Sequence, residues 1–417
     1  MKDIFITEVN IKKIRHLHDI NIKISKKERK HLILTGKNGS GKTSVLKSIK
    51  SFLKSIEEKV YHYVLDADRQ IGILNKVESV NNLPDSDINR AIEAIAHRDP
   101  VKYWENIKLR YNSDAIGLYF NFNSDLVDKY NAGEFILDYF DADRMTNVQI
   151  PNGVEKTNFD EKYTMDSKPS SMFLKYLVDL KTQQAFARNE NDMDVVEKID
   201  KWFNRFENSL KFLMDDESVQ LKFDYKNYNF EILQNGREPY GFDTLSDGYS
   251  SILNIIMDLI MRMESKKREV YDMQGIVIID EIETHLHIEL QKKILPFLIR
   301  FFPGIQFIVS THSPFVLNSL ENAVIYDLEK HIQVEDLSAY SFEGIVEGYF
   351  DIDQYSNEIK QKLSNYEKLV YKKDKSESEK EEMLNLRLYL KGVSEKLAPE
   401  LVYKFRDIEI KRRGRKE

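Results

Sequence analysis

The chain has 417 residues and a formal net charge of −7, so it is no polycation, and any contact with nucleic acid needs a local basic patch. Hydrophobic residues make up 41% and charged residues 31%, enough for a sizeable core together with long solvated helices. Cysteine is absent, which excludes disulfides and thiolate metal sites and fits a reducing compartment.

The amino terminus, MKDIFITEVNIKKIRHLHDI, alternates and carries charge, so it lacks the apolar centre of a signal peptide. The apolar stretches near Ile252–Met263 and Ile276–Ile279 are too short to span a bilayer, and a cytoplasmic chain without membrane contact is expected. DIFITEVNI and LHDINIKI have period two and predict strands, and RKHLILTG predicts a third. Val45, Leu46, Ile49, Phe52, Leu53 and Ile56 then fall on one face of a helix. Between residues 57 and 215, NRAIEAIAHRD predicts a helix, IKLRYN and AIGLYFNF predict strands, and EFILDYFDADR predicts a buried strand with a polar end. A polar loop over 151–171 follows, then one or two helices over 171–214. VQLKFDYKNYNFEILQNGREP predicts a hairpin. A helix through Met263, the apolar run MQGIVIIDEIE, another helix and the apolar strand GIQFIVSTHSP come next. Strands that are apolar on both faces and alternate with helices predict a parallel sheet covered on both sides.

GKNGSGKT, residues 36–43, fits the pattern GxxxxGK[ST] between an apolar strand and an amphipathic helix. Gly36, Gly39 and Gly41 permit backbone angles and a close approach that a β-carbon would block. Successive N–H groups and the helix N-terminus then cradle phosphate. Lys42 is expected to reach the β- and γ-phosphates of a nucleotide, and the Thr43 hydroxyl to ligate Mg2+. Asn38, Ser40 and Ser44 complete the expected ATP-binding set.

IVIIDEIE places Asp280 and Glu281 at the carboxyl end of a buried strand, the edge where ligands sit in open α/β sheets. Asp280 suits a Mg2+ site, and Glu281 suits a general base that orients and polarises water. His312, one helix and one strand later, is expected at the same edge if the two strands are neighbours. TLSDGYSSIL, residues 244–253, puts Ser246 at a helix N-terminus, where hydroxyl, N–H groups and dipole all favour an anion.

In this order, GKNGSGKT, LSDGY, IVIIDE and STHSP resemble the ABC ATPase superfamily, and DEIETHLH with STHSPFVL resembles its soluble SMC/Rad50/OLD-like branch more than transporters. The resemblance implies an α/β P-loop NTPase of ABC type: a mixed antiparallel N-terminal sheet plus a parallel core sheet flanked by helices, with a helical insertion. It implies a split ATPase head over 1–56 and 216–350, an insertion over 57–215, and a charged helical region with a basic tail over 351–417. It also implies a head-to-head homodimer around two ATPs, in which Ser246 and Gly248 contact the partner's γ-phosphate and residues 283–287 lie at the seam. His312 becomes the switch histidine and Glu281 the catalytic base. Asp247 departs from the glycine of many members, Ile282 and Ile288 stand where related sequences often have proline, and no Gln is assignable to a Q-loop. Arg144, in DADR, stands where that loop would begin and would either approach phosphate or pair with an acid.

The metal-binding acids of OLD-like nucleases are not recognisable after residue 320, so a nuclease effector is expected on another polypeptide. AYSFEGIVEGYFDIDQYSNEIKQKL resembles ATPase subunits of bacterial anti-phage systems of the Septu type, which pair with an HNH endonuclease. The alternative is a repair or chromosome-maintenance ATPase that clamps DNA directly, and DNA contact stays open. The pairs His16/His18 and His285/His287 lack a third ligand, NKVE at 75–78 is not a guanine-reading motif, and the basic tail KRRGRKE fits a solvated end as well as a phosphate contact.

Overall fold

The computed structural model describes residues 3–74, 100–144, 148–264, 266, 271–349, 356–393 and 398–414. The expected helix NRAIEAIAHRD, the NKVE tetrapeptide, FDIDQ and the last three residues of the basic tail lie outside them. The chain divides into two compact units, Met1–Ala339 and Tyr340–Glu417.

Among the described residues the first unit contains three sheets. β1 (Ile6–Ile14) pairs antiparallel with β2 (Leu17–Lys23) and with β4 (Ile116–Phe120) in the order β2-β1-β4. The central sheet has six strands in the order β12-β11-β3-β10-β9-β5. These are β3 (His31–Thr35), β5 (Phe135–Phe140), β9 (Gln274–Ile279), β10 (Ile305–Ser310), β11 (Ala323–Asp327) and β12 (Ile332–Val334). All neighbours in it are parallel except β11 and β12. The third sheet holds the expected hairpin, β6 (Gln220–Asp224) and β7 (Asn229–Leu233), with the short β8 (Tyr240–Gly241).

Every residue of β3, β5 and β10 is buried, as apolar runs covered on both faces require. The helix α1 (Lys42–Glu57) packs Val45, Leu46, Ile49, Phe52, Leu53 and Ile56 into a core that also takes β1, β2, β3 and β5 side chains. Buried Gln306 locks the two large sheets together: it accepts from the Ile6 N–H at 2.7 Å and donates to the carbonyls of Ile6 and Lys30 at 2.9 and 2.8 Å.

One expectation is corrected. IKLRYN is not a strand, because residues 107–110 close the helix α3 (Pro100–Arg110), which follows α2 (Tyr61–Leu74). Trp104 and Ile107 are spaced for a helix and pack against Ala67 of α2, and that contact overrides the β propensity of the short run. The stretch 57–215, expected as an insertion of mixed strands and then helices, shares sheets with the segments on either side of it. It supplies β4 to the N-terminal sheet and β5 to the edge of the central sheet, because a strand buried at every position needs a neighbour's ladder. After the short helix α4 (Leu126–Asn131), the remainder of the stretch is the loop over 151–168 and two helices, α5 (Phe173–Asn189) and α6 (Met193–Met214). The helix α7 (Asp247–Glu264) follows the third sheet, and α8 (Ile288–Phe301) connects β9 to β10.

The second unit packs three helices, α9 (Asn357–Tyr371), α10 (Glu377–Lys391) and α11 (Pro399–Gly414), around Leu363, Tyr366, Val370, Leu390, Leu401, Phe405 and Ile408. There the Glu409 carboxylate accepts from Tyr366, Arg387 and Arg412.

Candidate functional site

The strand order decides the site. Because β3, β10, β9 and β5 are adjacent and parallel, their carboxyl ends lie on one edge. In that order they deliver the glycine-rich loop 36–41, His312, Asp280 with Glu281, and Arg144.

The loop Gly36–Gly41 joins β3 to α1. Gly36, Gly39 and Gly41 have φ of 129°, 85° and 100°, angles an L side chain rarely adopts. A Cβ at Gly41 would stand 2.9 Å from Leu17 Cδ1, so β2 presses directly on the loop. Lys42 is buried and its ammonium donates to the carbonyls of Gly36 and Lys37 at 2.9 and 3.2 Å. The cation thus waits inside its own loop. Burial holds it below its ordinary pKa, opposed by the carboxylates of Glu281, Glu283, Asp280 and Asp327. The buried hydroxyl of Ser40 has no protein partner and sits where a Cβ on Gly36 would come within 2.8 Å of it. An orphaned hydroxyl in a loop that leaves room only for backbone fits an oxygen-rich anion. Thr43 and Ser44, in the first turn of α1, are half-buried, and Asn38 is exposed.

Asp280 and Glu281 leave the end of β9. Asp280 is buried, and its carboxylate accepts from the Ser310 hydroxyl at 2.5 Å. The same Ser310 oxygen accepts from the Glu281 N–H at 2.7 Å. Glu281 has φ of 45°, left-handed for a residue with a side chain, which turns the chain sharply at the end of the strand. His312 follows Ser310 and Thr311. Its Nδ1 lies 3.5 Å from the Lys42 ammonium, and its backbone N–H donates to the Glu283 carboxylate. Burial and then the Lys42 charge push the imidazole below its ordinary pKa, so a neutral ring faces the lysine. Ser310 is a contact that sequence reasoning did not assign, and Glu283, expected at the seam between copies, also meets the His312 N–H. The available signals were a serine ending the strand beside the acidic one and a second acid two residues after Glu281.

Among the described residues, no group of three His, Cys, Asp or Glu could hold a metal by itself. Mg2+ does not require one. It takes one or two carboxylates plus substrate phosphates and water, and a Thr hydroxyl with a carboxylate is a donor set of that kind. Thr43 and Asp280 therefore fit the ion.

The signature stretch forms a second locus. Ser246 and Asp247 are exposed at the start of α7, and Gly248 is buried. A Cβ there would meet the His285 carbonyl oxygen at 2.7 Å, so the glycine permits α7 to rest on the turn after Glu281. A cavity of about 470 Å³ opens at this point, lined among others by Ser246, Gly248, Tyr249, His285, His287 and Lys293. None of residues 36–44 lines it.

A family model described as "AAA domain, putative AbiEii toxin, Type IV TA system" matches residues 32–318. The chain is 24% identical over 398 residues to the Septu protein PtuA of Bacillus mycoides (strain KBAB4), covering 91% of this chain and 49% of that one. It is 29% identical over 238 residues to a protein named "Retron Vc95 probable ATPase" of Vibrio cholerae serotype O1 biovar El Tor, covering 54% of this chain and 43% of that one. The chain thus spans about half the length, or less, of these curated relatives. Among solved structures, the SMC head domain from Thermotoga maritima superposes with a TM-score of 0.33 and 13% identity over 77% of this chain and 94% of that one.

Proposed function

This chain belongs to that AAA-domain family, and from this premise we propose that it binds and hydrolyses ATP with Mg2+, closing head to head with a second copy around two nucleotides. The observation that carries the proposal is the meeting of Lys42, Asp280, Glu281 and His312 on one sheet edge, with Lys42 Nζ 3.5 Å from His312 Nδ1. On nucleotide entry the Lys42 ammonium exchanges its two carbonyl partners for phosphate oxygens. The loop N–H groups and the α1 N-terminus take up the remaining negative charge. Thr43 and Asp280 would hold Mg2+, which supplies charge neutralisation at the β- and γ-phosphates when bound. Glu281 orients water for attack on the γ-phosphorus and polarises its O–H bond. The bond from that phosphorus to the bridging oxygen breaks, and ADP leaves with the electron pair. His312, neutral beside Lys42, reports whether the γ-phosphate is present.

Ser246, with the backbone around Gly248, meets the partner's γ-phosphate in this proposal. The cavity at the head of α7, apart from the phosphate loop, supports that assignment. We further propose that the cycle regulates a separate effector, such as a nuclease, in cytoplasmic defence against phage. The similarity to a Septu protein and to a retron protein named as an ATPase supports this setting. No described helix is long and apolar enough to cross a membrane.

Steady-state hydrolysis of ATP by the purified chain tests the reading. Glu281→Gln should bind ATP, accumulate as a closed dimer in light scattering, and turn over about 10²- to 10⁴-fold more slowly. Lys42→Ala should lose nucleotide binding. Wild-type turnover by Glu281→Gln would remove Glu281 as the base, and a wild-type chain that binds ATP without hydrolysing it would end the ATPase reading.

A further inference from the structure

The turn that carries Asp280 and Glu281 is held from both flanking strands. On the β10 side, Ser310 accepts from the Glu281 N–H and donates to the Asp280 carboxylate, while the Ile282 N–H donates to the Ser310 carbonyl at 3.1 Å. On the β5 side stands one side chain, Arg144. One terminal nitrogen donates to the carbonyls of Asp141 and Asp280 at 3.0 and 2.8 Å. The other donates to the carbonyls of Glu281 and Ile282 at 3.1 and 3.0 Å. Three successive carbonyls at the end of β9 are thereby satisfied by one planar cation.

This geometry decides between the two roles open to Arg144 from sequence, and it selects neither. A guanidinium has five N–H donors. Four are spent on main-chain carbonyls, and the fifth, on Nε, is buried without a partner. The residue is only 5% exposed. Both terminal nitrogens are engaged and the Nε–H is buried inside the protein, so none faces a phosphate, and among the described residues no carboxylate is hydrogen-bonded to the guanidinium.

We propose that Arg144 is a positioning residue for hydrolysis: it grips the main chain of Asp280–Ile282 so that the left-handed Glu281 keeps its carboxylate aimed at the phosphate edge, without touching nucleotide. A non-glycine residue at positive φ persists only where its surroundings over-determine it. Here the N–H side of the turn is fixed by Ser310 and the carbonyl side by Arg144. Lysine could not replace it, because a single ammonium cannot span the carbonyls that the fork reaches.

The inference rests on the ATPase reading, and the test separates the two. Hydrolysis kinetics and the affinity for a fluorescent ATP analogue are measured for the full chain, Arg144→Lys, Arg144→Met and Arg144→Ala, with Lys42→Ala as the binding-deficient control. For Arg144→Lys and Arg144→Met, kcat should fall about 10- to 100-fold. KM and analogue affinity should stay within about threefold of wild type. Guanidinium ion at millimolar concentration should restore part of the lost kcat to Arg144→Ala and none to Glu281→Gln. If Arg144→Met fails to melt cooperatively, the split between kcat and KM in Arg144→Lys decides. Full kcat in either variant overturns the proposal, and so does a loss of analogue affinity matching Lys42→Ala. Wild-type protein that binds the analogue but does not hydrolyse ATP overturns the ATPase reading, and this inference with it.

Discussion

Lys42, at the start of α1, and His31, at the start of β3, show how burial treats two basic side chains differently. Lys42 keeps two carbonyl partners, and the carboxylates of Glu281, Glu283, Asp280 and Asp327 oppose the lowering that burial causes. His31, at the start of β3, is buried against Phe307, and its Nδ1 accepts the Phe307 N–H at 3.1 Å. Burial, followed by the Arg29 charge, lowers its pKa from 6.5 to about 3. A folded-state pKa below the unfolded value means that the unfolded chain takes the proton first. The stability His31 contributes is therefore fully present above pH 6.5 and is lost as the pH falls toward 3. His31→Asn keeps an acceptor near Nδ1 and removes the titration. Urea midpoints should fall less between pH 7 and pH 5 for His31→Asn than for wild type, by an amount corresponding to about one proton. Equal acid sensitivity in the two proteins would contradict a neutral buried His31.

At the scale of elements, α7 is more than the carrier of Ser246. Its later turns supply Asp258 and Arg262, and β5 supplies Asp138. The Arg262 Nε lies 2.6 Å from Asp258 and 2.9 Å from Asp138, with all three side chains no more than 2% exposed. The same guanidinium donates to the carbonyls of Thr164 and Ser167 at 3.0 Å each. This cluster binds the signature helix to the sheet edge from which Arg144 departs, and it fixes the loop before α5. Arg262→Ala would leave two buried carboxylates without their cation. Removing one partner of a buried pair costs about 3–5 kcal/mol, against about 0–1 kcal/mol for exposed pairs. The midpoint of chemical denaturation should fall accordingly, and a change of the size seen for a surface pair would show that the cluster does not anchor α7.

For the whole molecule, the two loci of the first unit impose the next test. The phosphate loop lies at the sheet edge, and the Ser246 cavity lies at the head of α7 without any residue of 36–44 in its lining. Composite sites formed between copies would use one locus from each chain. A mixture of Lys42→Ala and Ser246→Arg chains forms mixed dimers with one intact composite site, so it should hydrolyse ATP when neither variant does alone. A mixture as inactive as its components would argue that both loci act within one chain or that the two sites cannot fire separately.

Much of this was legible from the sequence by itself, because the signals are local. Glycines at residues 36, 39 and 41 encode a left-handed loop, periods of two and 3.6 separate strands from helices, and an acid pair after an apolar run marks a strand end. Those patterns determined the glycine-rich loop, the hairpin over β6 and β7, helix within 171–214, and Ser246 at the head of α7. Tertiary structure alone decided which strands are neighbours. It set β10 between β3 and β9, brought β5 to the sheet edge, and turned residues 107–110 into helix. It also placed Arg144 on carbonyls 136, 137 and 138 residues away. The physical reason is that a buried N–H or carbonyl accepts any partner of good geometry. The pattern along the chain says that it must be satisfied, and only packing says by whom.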